Sequence, residues 1–123
     1  MARLSWGMIG GGEGSQIGPV HRISSAMDGH FDLKAGALDV DAAKGRTFAM
    51  TLGVAEDRAY GDWKEMLAGE KDRADRIDLV TVATPNSTHY AITKAFLEAG
   101  IHVLCEKPMT VTVDEAEDIA ATA

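Results

Sequence analysis

Short apolar runs alternate with longer segments of helical period along the chain of 123 residues. The runs are rich in β-branched residues and end at glycine, proline or acidic residues, which are frequent where a strand turns into a loop. They occupy residues 4–9, 31–38, 59–60, 77–83 and 101–105. This order is typical of a parallel sheet with helices in the crossovers. We therefore predict an α/β fold with three layers, a doubly wound parallel sheet of five strands between helices.

Capping signals predict where the intervening helices begin. Asp41 precedes a helix that Gly53 ends, and Asp62 and Thr112 each stand three residues ahead of a glutamate, as in a capping box. The charged residues 70–76 have no apolar face, so we expect a solvated connection there. The helix after residue 88 is expected to bury five side chains, Ala91, Ile92, Ala95, Phe96 and Ala99.

The composition narrows the classes of function. A net charge of −7 repels phosphodiester backbones and anionic lipid, so neither nucleic acid nor a membrane is an expected partner. The single cysteine, Cys105, excludes an intrachain disulfide and a CxxC zinc pair, and we expect a buried, inert thiol and no metal site. The amino terminus lacks the pattern of a signal peptide, and no apolar run is long enough to span a bilayer. A cytoplasmic location is the expectation.

A glycine-rich segment, GGGEGSQIG at residues 10–18, joins the first predicted strand to a helical segment. Pyrophosphate binding needs backbone free of Cβ atoms and a helix N-terminus whose amides face the anion. The spacing departs from GxGxxG, because Ser15 falls on the third glycine position and Gly18 is left to pack the helix. The alternative is a turn that only joins strand and helix. The expected cofactor-binding residues here are Gly10, Gly12, Gly14, Ser15, Gln16, Ile17 and Gly18.

An acidic residue, Asp39, ends the second predicted strand. A carboxylate at this place accepts hydrogen bonds from the adenosine ribose hydroxyls and repels a 2′-phosphate, which favours NAD over NADP. The alternative is that Asp39 or Asp41 only caps the next helix. Lys44 and Arg46 follow in that helix, so NADP stays open as a second cofactor.

Polar segments also follow the last two predicted strands, TPNSTH at residues 84–89 and CEKP at residues 105–108. Ligands of a doubly wound sheet bind outside the carboxyl ends of the strands, so these segments should converge on one crevice. Taken singly, His89 is more often a surface histidine than a functional one, and Lys107 is more often a solvated charge. His21, on the first helix, either approaches the phosphates or lies on the helix surface.

Residues 78–89, DLVTVATPNSTH, and 99–108, AGIHVLCEKP, together resemble the Gfo/Idh/MocA oxidoreductases, the family of glucose-fructose oxidoreductase and inositol dehydrogenase. That family carries a TPN-x-x-H loop and, after a helix that ends in AG-x-HV, the tripeptide EKP. The resemblance covers essentially the whole chain. It implies a Rossmann domain that binds NAD or NADP, followed by a larger sheet domain that holds a sugar, a cyclitol or a related substrate.

The resemblance also implies roles for individual residues. Lys107 matches the lysine that contacts the substrate hydroxyl near the nicotinamide and assists proton transfer, so it is the expected catalytic residue. Glu106 matches the residue beside the nicotinamide ribose. The cofactor-binding set that the two motifs imply is Thr84, Pro85, Asn86, His89, Glu106, Lys107 and Pro108.

We expect residues 1–123 to form one NAD(P)-binding domain, cut before a substrate domain and inactive by itself. The expected activity of the whole protein is hydride transfer between a sugar or cyclitol alcohol and the nicotinamide cofactor, and the expected assembly is a homo-oligomer. Two alternatives stay open. One is a stand-alone NAD-binding regulatory or scaffold module, and the other is a methyltransferase, whose chemistry does not call for the EKP tripeptide.

Overall fold

The computed structural model describes residues 2–123, which form one parallel sheet between two layers of helices. The strands are β1 (Leu4–Gly10), β2 (Phe31–Ala37), β3 (Leu79–Ala83) and β4 (His102–Cys105), in the order β2-β1-β3-β4. The α-helices are α1 (Ile17–Met27), α2 (Ala42–Thr51), α3 (Trp63–Glu70), α4 (His89–Glu98) and α5 (Val113–Thr122). All neighbouring strands run parallel. The predicted doubly wound α/β fold is confirmed.

The fifth predicted strand, at residues 59–60, is wrong as a strand and is reduced to one parallel bridge. Ala59 pairs with Gly36 of β2, and the amide of Tyr60 donates to the Gly36 carbonyl at 2.8 Å. A 3-10 helix, Glu56–Arg58, precedes the bridge and a bend follows it, so the backbone is extended for too few residues to pair further. The bridge nevertheless extends the sheet on the outer side of β2, where the predicted strand belongs.

Each face of the sheet buries its own apolar cluster. In β1, Trp6 and Met8 point to the face covered by α2, whereas Ile9 points to the face covered by α3 and α4. This alternation follows from the period of two residues in a strand. Helix α1 lies on the α2 side, since the Arg22 guanidinium stacks 5.4 Å from the centre of the Phe48 ring of α2.

The predicted caps are formed at three helices. The Asp41 carboxylate accepts a hydrogen bond from the Lys44 amide at 3.1 Å, and the Asp62 carboxylate accepts one from the Glu65 amide at 2.8 Å. The Thr112 hydroxyl accepts the Glu115 amide at 3.2 Å. These side chains satisfy amides that the first helical turn leaves without a partner. Helices α2, α3 and α5 therefore begin where their capping residues predict.

The prediction of a solvated connection over residues 70–76 is wrong at its first residue. Glu70 is fully buried at the end of α3, where its carboxylate accepts two hydrogen bonds from Arg58 and one from Tyr60. It also accepts the Ile77 amide at 3.2 Å. Burial and the Glu70 carboxylate raise the pKa of Tyr60. Arg58 lies 12 positions and Tyr60 lies 10 positions before Glu70 in the sequence, so no local charge pattern predicts these contacts.

Two helices differ from the expected pattern of burial. In α4, Ala91 is exposed and Thr93 is buried, because Ile92, Thr93 and Phe96 share the face that contacts the sheet. In α1, the residues that give the helical period are exposed, with Ile23 at 64% and Met27 at 77%. None of the helices described in residues 2–123 is long and apolar enough to cross a membrane.

Candidate functional site

A cavity of about 580 Å³ opens at the carboxyl edge of the sheet. The glycine-rich loop after β1 forms one wall, and residues after β2, after the Ala59 bridge and after β3 form the others. The sequence predicted seven of the lining residues: Gly10, Gly12, Gly14, Ser15, Asp39, Thr84 and Pro85. The strand ends thus bring these distant segments together, as expected for a doubly wound sheet.

The glycine loop lies against its neighbours too closely for side chains at several places, among them Gly10 and Gly18. Gly10 has φ +74°, and a Cβ there would meet the Ala83 carbonyl. Gly18 is buried in the first turn of α1, where a Cβ would meet the backbone of Gly11. Gly18 therefore has the helix-packing role that the shifted spacing suggested.

Gly14 has a different environment from these two. It borders the cavity, and a Cβ at this position would have no atom within 4 Å, so it would protrude into open space beside the loop. Bare backbone at this point can approach an anion closely. The loop therefore fits a pyrophosphate group.

Ser15 shapes the start of α1. Its hydroxyl accepts the Gly18 amide at 3.0 Å, and its own amide donates to the Gly12 carbonyl at 3.1 Å. The serine at the third glycine position therefore caps the helix that follows. Gln16 directly precedes α1, its side chain forms no capping hydrogen bond, and it does not line the cavity.

Asp39 lies in the cavity wall with its side chain 18% exposed. Its carboxylate accepts the Asp41 amide at 2.9 Å and lies 3.5 Å from Lys44 Nζ. The Asp41 amide is the main cause that lowers the pKa of Asp39, and Lys44 contributes. Asp41, not Asp39, caps α2. Asp39 Oδ1 accepts the Asp41 amide and Oδ2 faces Lys44, and because each oxygen of a carboxylate can accept a second hydrogen bond, Asp39 can also bind a ligand.

A second depression of about 330 Å³ adjoins the first and shares Ala83 and Thr84 with it. Its remaining lining residues are Ile17, Asn86, His89, Glu106 and Lys107. The TPN-x-x-H and EKP segments therefore meet, as their places after β3 and β4 predicted. Pro108 and Gly18 line neither depression.

His89 holds the two segments together from below the surface. The ring is 1% exposed, with Nε2 at 2.8 Å from the Thr84 carbonyl and Nδ1 at 2.7 Å from the Pro108 carbonyl. A neutral imidazole has one N–H and donates to one of these oxygens, whereas the protonated ring donates to both. His89 therefore joins the loops after β3 and β4 and presents little surface to a ligand.

Glu106 and Lys107 lie side by side with different surroundings. The Glu106 carboxylate accepts a hydrogen bond from His21 Nε2 at 2.6 Å, whereas the Lys107 ammonium is exposed and has no hydrogen-bond or ion-pair partner among residues 2–123. Thus His21, which the sequence left undecided, contacts a residue of the predicted site. The cysteine before them, Cys105, is half-buried, and burial raises the pKa of its thiol.

Three cavity residues, Gly61, Asp62 and Trp63, were missed in the sequence. They follow the Ala59 bridge at the same sheet edge as the other walls. Since a strand was predicted at residues 59–60, the rule that ligands bind at strand ends could have identified them. Val40, next to Asp39, also lines the cavity and is 100% exposed.

The two depressions together fit a dinucleotide in an extended conformation. Open backbone at Gly14 suits the pyrophosphate, and the Asp39 carboxylate suits ribose hydroxyls. The Lys107 ammonium, which has no partner in the described part of the chain, lies at the far end.

Comparison with known proteins places the chain. Residues 4–123 match the family model described as an oxidoreductase family with an NAD-binding Rossmann fold, the Gfo/Idh/MocA family. The chain is 50% identical over 121 residues to the uncharacterized oxidoreductase YfiI of Bacillus subtilis (strain 168), a match that covers 98% of this chain and 31% of that protein. It is 34% identical over 102 residues to D-xylose 1-dehydrogenase (NADP(+)) of Hypocrea jecorina, with 82% of this chain and 25% of that protein covered.

Among solved structures, an inositol dehydrogenase homolog from Azotobacter vinelandii, complexed with NADH and myo-inositol, is 49% identical with a TM-score of 0.96. That match covers 98% of this chain and 32% of the other. The chain therefore spans about a third of the length of these relatives. Sequence, fold and the arrangement of both motifs agree: the chain belongs to the Gfo/Idh/MocA oxidoreductases, as their NAD-binding Rossmann domain.

Proposed function

We propose that this domain binds NAD for an oxidoreductase that moves hydride between the cofactor and a secondary alcohol of a sugar or cyclitol. The observation that carries the proposal is the Lys107 ammonium, which lines a depression adjoining the glycine-loop cavity. No side chain among residues 2–123 pairs with this ammonium, so it is available to a ligand at the carboxyl edge of the sheet. The inositol dehydrogenase homolog, a relative with bound NADH and myo-inositol, supports this class of substrate.

The cofactor would be held along both depressions. Gly12 and Gly14 present backbone to the pyrophosphate, and Asp39 accepts hydrogen bonds from the adenosine ribose. At the other end, Asn86 and Glu106 flank the nicotinamide half. The bound nicotinamide supplies hydride acceptance, while the protein supplies alignment and proton transfer.

Lys107 Nζ is the proposed site of proton transfer. Alcohol oxidation releases a hydroxyl proton as the hydride leaves, and a neutral amine within hydrogen-bond distance of that hydroxyl accepts it. In the reverse reaction the ammonium returns the proton to the carbonyl oxygen.

Because the relatives are about three times as long, the substrate needs groups beyond these residues. Holding reactants in a productive geometry is worth roughly 7 to 11 kcal/mol of barrier. We therefore propose that residues 1–123 by themselves bind the cofactor but do not turn over substrate. At natural length, we propose a homo-oligomeric, cytoplasmic enzyme.

The proposal is tested by NAD reduction against a panel of sugars, cyclitols and their acids, with the protein at its natural length. We expect activity with at least one polyol and a loss of about a hundredfold or more in kcat for Lys107→Ala. Lys71→Ala, an exposed lysine on the turn after α3, is the matched control and should keep full activity. Equal activity in Lys107→Ala would remove Lys107 from the mechanism, and inactivity with every polyol would contradict the substrate class.

A further inference from the structure

We propose that His21 is a positioning residue, which holds the Glu106 carboxylate where it meets the nicotinamide half of the cofactor. The inference rests on the proposed function, since it assigns Glu106 a ligand, and it adds a residue of α1 to that part of the site. His21 itself lines neither depression.

The first step is the contact between the two side chains. His21 Nε2 donates to Glu106 Oε1 at 2.6 Å, with the side chains 16% and 26% exposed. The residues are 85 positions apart, so the bond joins α1 to the loop after β4. It is the only side-chain hydrogen bond of Glu106 among residues 2–123, so it alone fixes which way the carboxylate faces.

The second step is that α1 cannot easily rotate to release this contact. The next residue, Arg22, donates to the Gly11 carbonyl at 2.6 Å and stacks on Phe48. One turn earlier, Gly18 packs against the Gly11 backbone. His21 is therefore presented from a helix that the glycine loop and α2 hold in place.

The third step concerns the atoms that stay free. With Oε1 bonded to His21, Glu106 Oε2 has no side-chain or backbone donor among residues 2–123 and is available to a ribose hydroxyl. A carboxylate that lost His21 would have the Lys107 ammonium one residue away as an alternative partner, since opposite charges at this range attract. The His21 bond thus keeps Glu106 from pairing with Lys107. Glu106 stays available to the ribose, and Lys107 stays available to the substrate hydroxyl.

The test measures the NAD dissociation constant by calorimetry in a double-mutant cycle of His21→Leu, Glu106→Ala and the double variant, at natural length. Loss of a charged hydrogen bond predicts a dissociation constant about tenfold higher for His21→Leu. If His21 acts through Glu106, the double variant binds within about twofold of Glu106→Ala. Ser24→Leu, an exposed position on the same helix, is the control for a leucine on α1 and should bind as the unmutated protein does.

A conservative pair guards against misfolding of the leucine variant. The side-chain amide nitrogen in His21→Gln reaches the place of Nε2. The side chain in His21→Asn is one carbon shorter, so its amide nitrogen does not reach that place. We expect His21→Gln to bind NAD within about threefold of the unmutated protein and His21→Asn to bind about tenfold more weakly. kcat/KM should follow the same order.

The role of His21 would be overturned if the increases in NAD dissociation constant caused by His21→Leu and Glu106→Ala multiplied in the double variant. It would also be overturned if the Gln and Asn variants bound NAD equally well. These outcomes are distinct from failure of the proposed function. If the proposed function is wrong, the unmutated protein itself binds no NAD.

Discussion

The ammonium of Lys44 lies 3.5 Å from the carboxylate of Asp39, at the wall of the cavity that the adenosine ribose would occupy. Asp39 is also held by the Asp41 amide, so its orientation does not depend on Lys44 alone. The residue that we propose to favour NAD thus has a cation beside it.

This arrangement predicts cofactor preference. Asp39→Ala removes the ribose acceptor and frees Lys44 to attract a 2′-phosphate, so NAD should bind about tenfold more weakly and NADP more tightly. Calorimetric titration with both cofactors measures the change, and Lys44→Ala in the Asp39→Ala background should remove the gain for NADP. Tighter binding of NADP than NAD by the unmutated protein would contradict the role of Asp39.

Gly18 predicts a packing defect at the start of α1. A Cβ there meets the Gly11 backbone, so Gly18→Ala should lower the free energy of unfolding by about 1–3 kcal/mol. Urea denaturation measures this change in the free energy of unfolding. Gly53→Ala is the control for backbone strain alone, because Gly53 has φ +91° and open space around it, and it should cost about 1–2 kcal/mol without affecting NAD binding. Unchanged NAD affinity in Gly18→Ala would show that the loop does not need this contact.

The buried pair of Arg58 and Glu70 predicts a large loss of stability when it is broken. Glu70→Ala leaves the Arg58 guanidinium, which is 7% exposed, with only the exposed Asp75 as a partner, which should cost about 3–5 kcal/mol in the free energy of unfolding. The exposed Glu117→Ala serves as the control and should cost under about 0.5 kcal/mol. A similarly small loss for Glu70→Ala would mean that the pair contributes little.

Asp118 predicts how the contact between α4 and α5 depends on pH. Hydrogen bonds from Lys94 and Tyr90 lower the pKa of Asp118 from its ordinary value of 3.8. A depressed carboxyl pKa gives stability that is fully present above pH 3.8 and is lost as the pH falls through the lower folded value. The stability difference between the unmutated protein and Asp118→Asn should therefore shrink from pH 7 to pH 2. A stability difference between the two proteins that stays constant with pH would contradict this role of Asp118.

Much of the fold follows from local signals in the sequence. Helices α2, α3 and α5 begin at capping residues because a cap is an interaction between residues three positions apart. The strand at Ala59 is the exception, since pairing with Gly36 depends on how many extended residues the surrounding turns allow. The burial of Glu70 also could not be predicted, because its partner Arg58 is brought close only by the packing of α3.

The site was predicted to the extent that it depends on strand ends. The loops after β1, β2, β3 and β4 converge because all four strands are parallel, and that much is visible in the order of elements. The contact of His21 with Glu106 is not visible there, because it depends on the rotation of α1 about its axis. The buried position of His89 likewise depends on the Pro108 carbonyl, 19 residues away.

The most direct test of the central claim is calorimetric titration of NAD into the unmutated protein and the Gly12→Val variant. A Cβ at Gly12 meets the Leu38 carbonyl, so valine should displace the loop that is proposed to hold the pyrophosphate. We predict saturable, one-to-one binding in the unmutated protein, and binding at least about tenfold weaker in a variant whose circular dichroism is unchanged. Absence of NAD binding, or equal affinity in the Gly12→Val protein, would contradict the account.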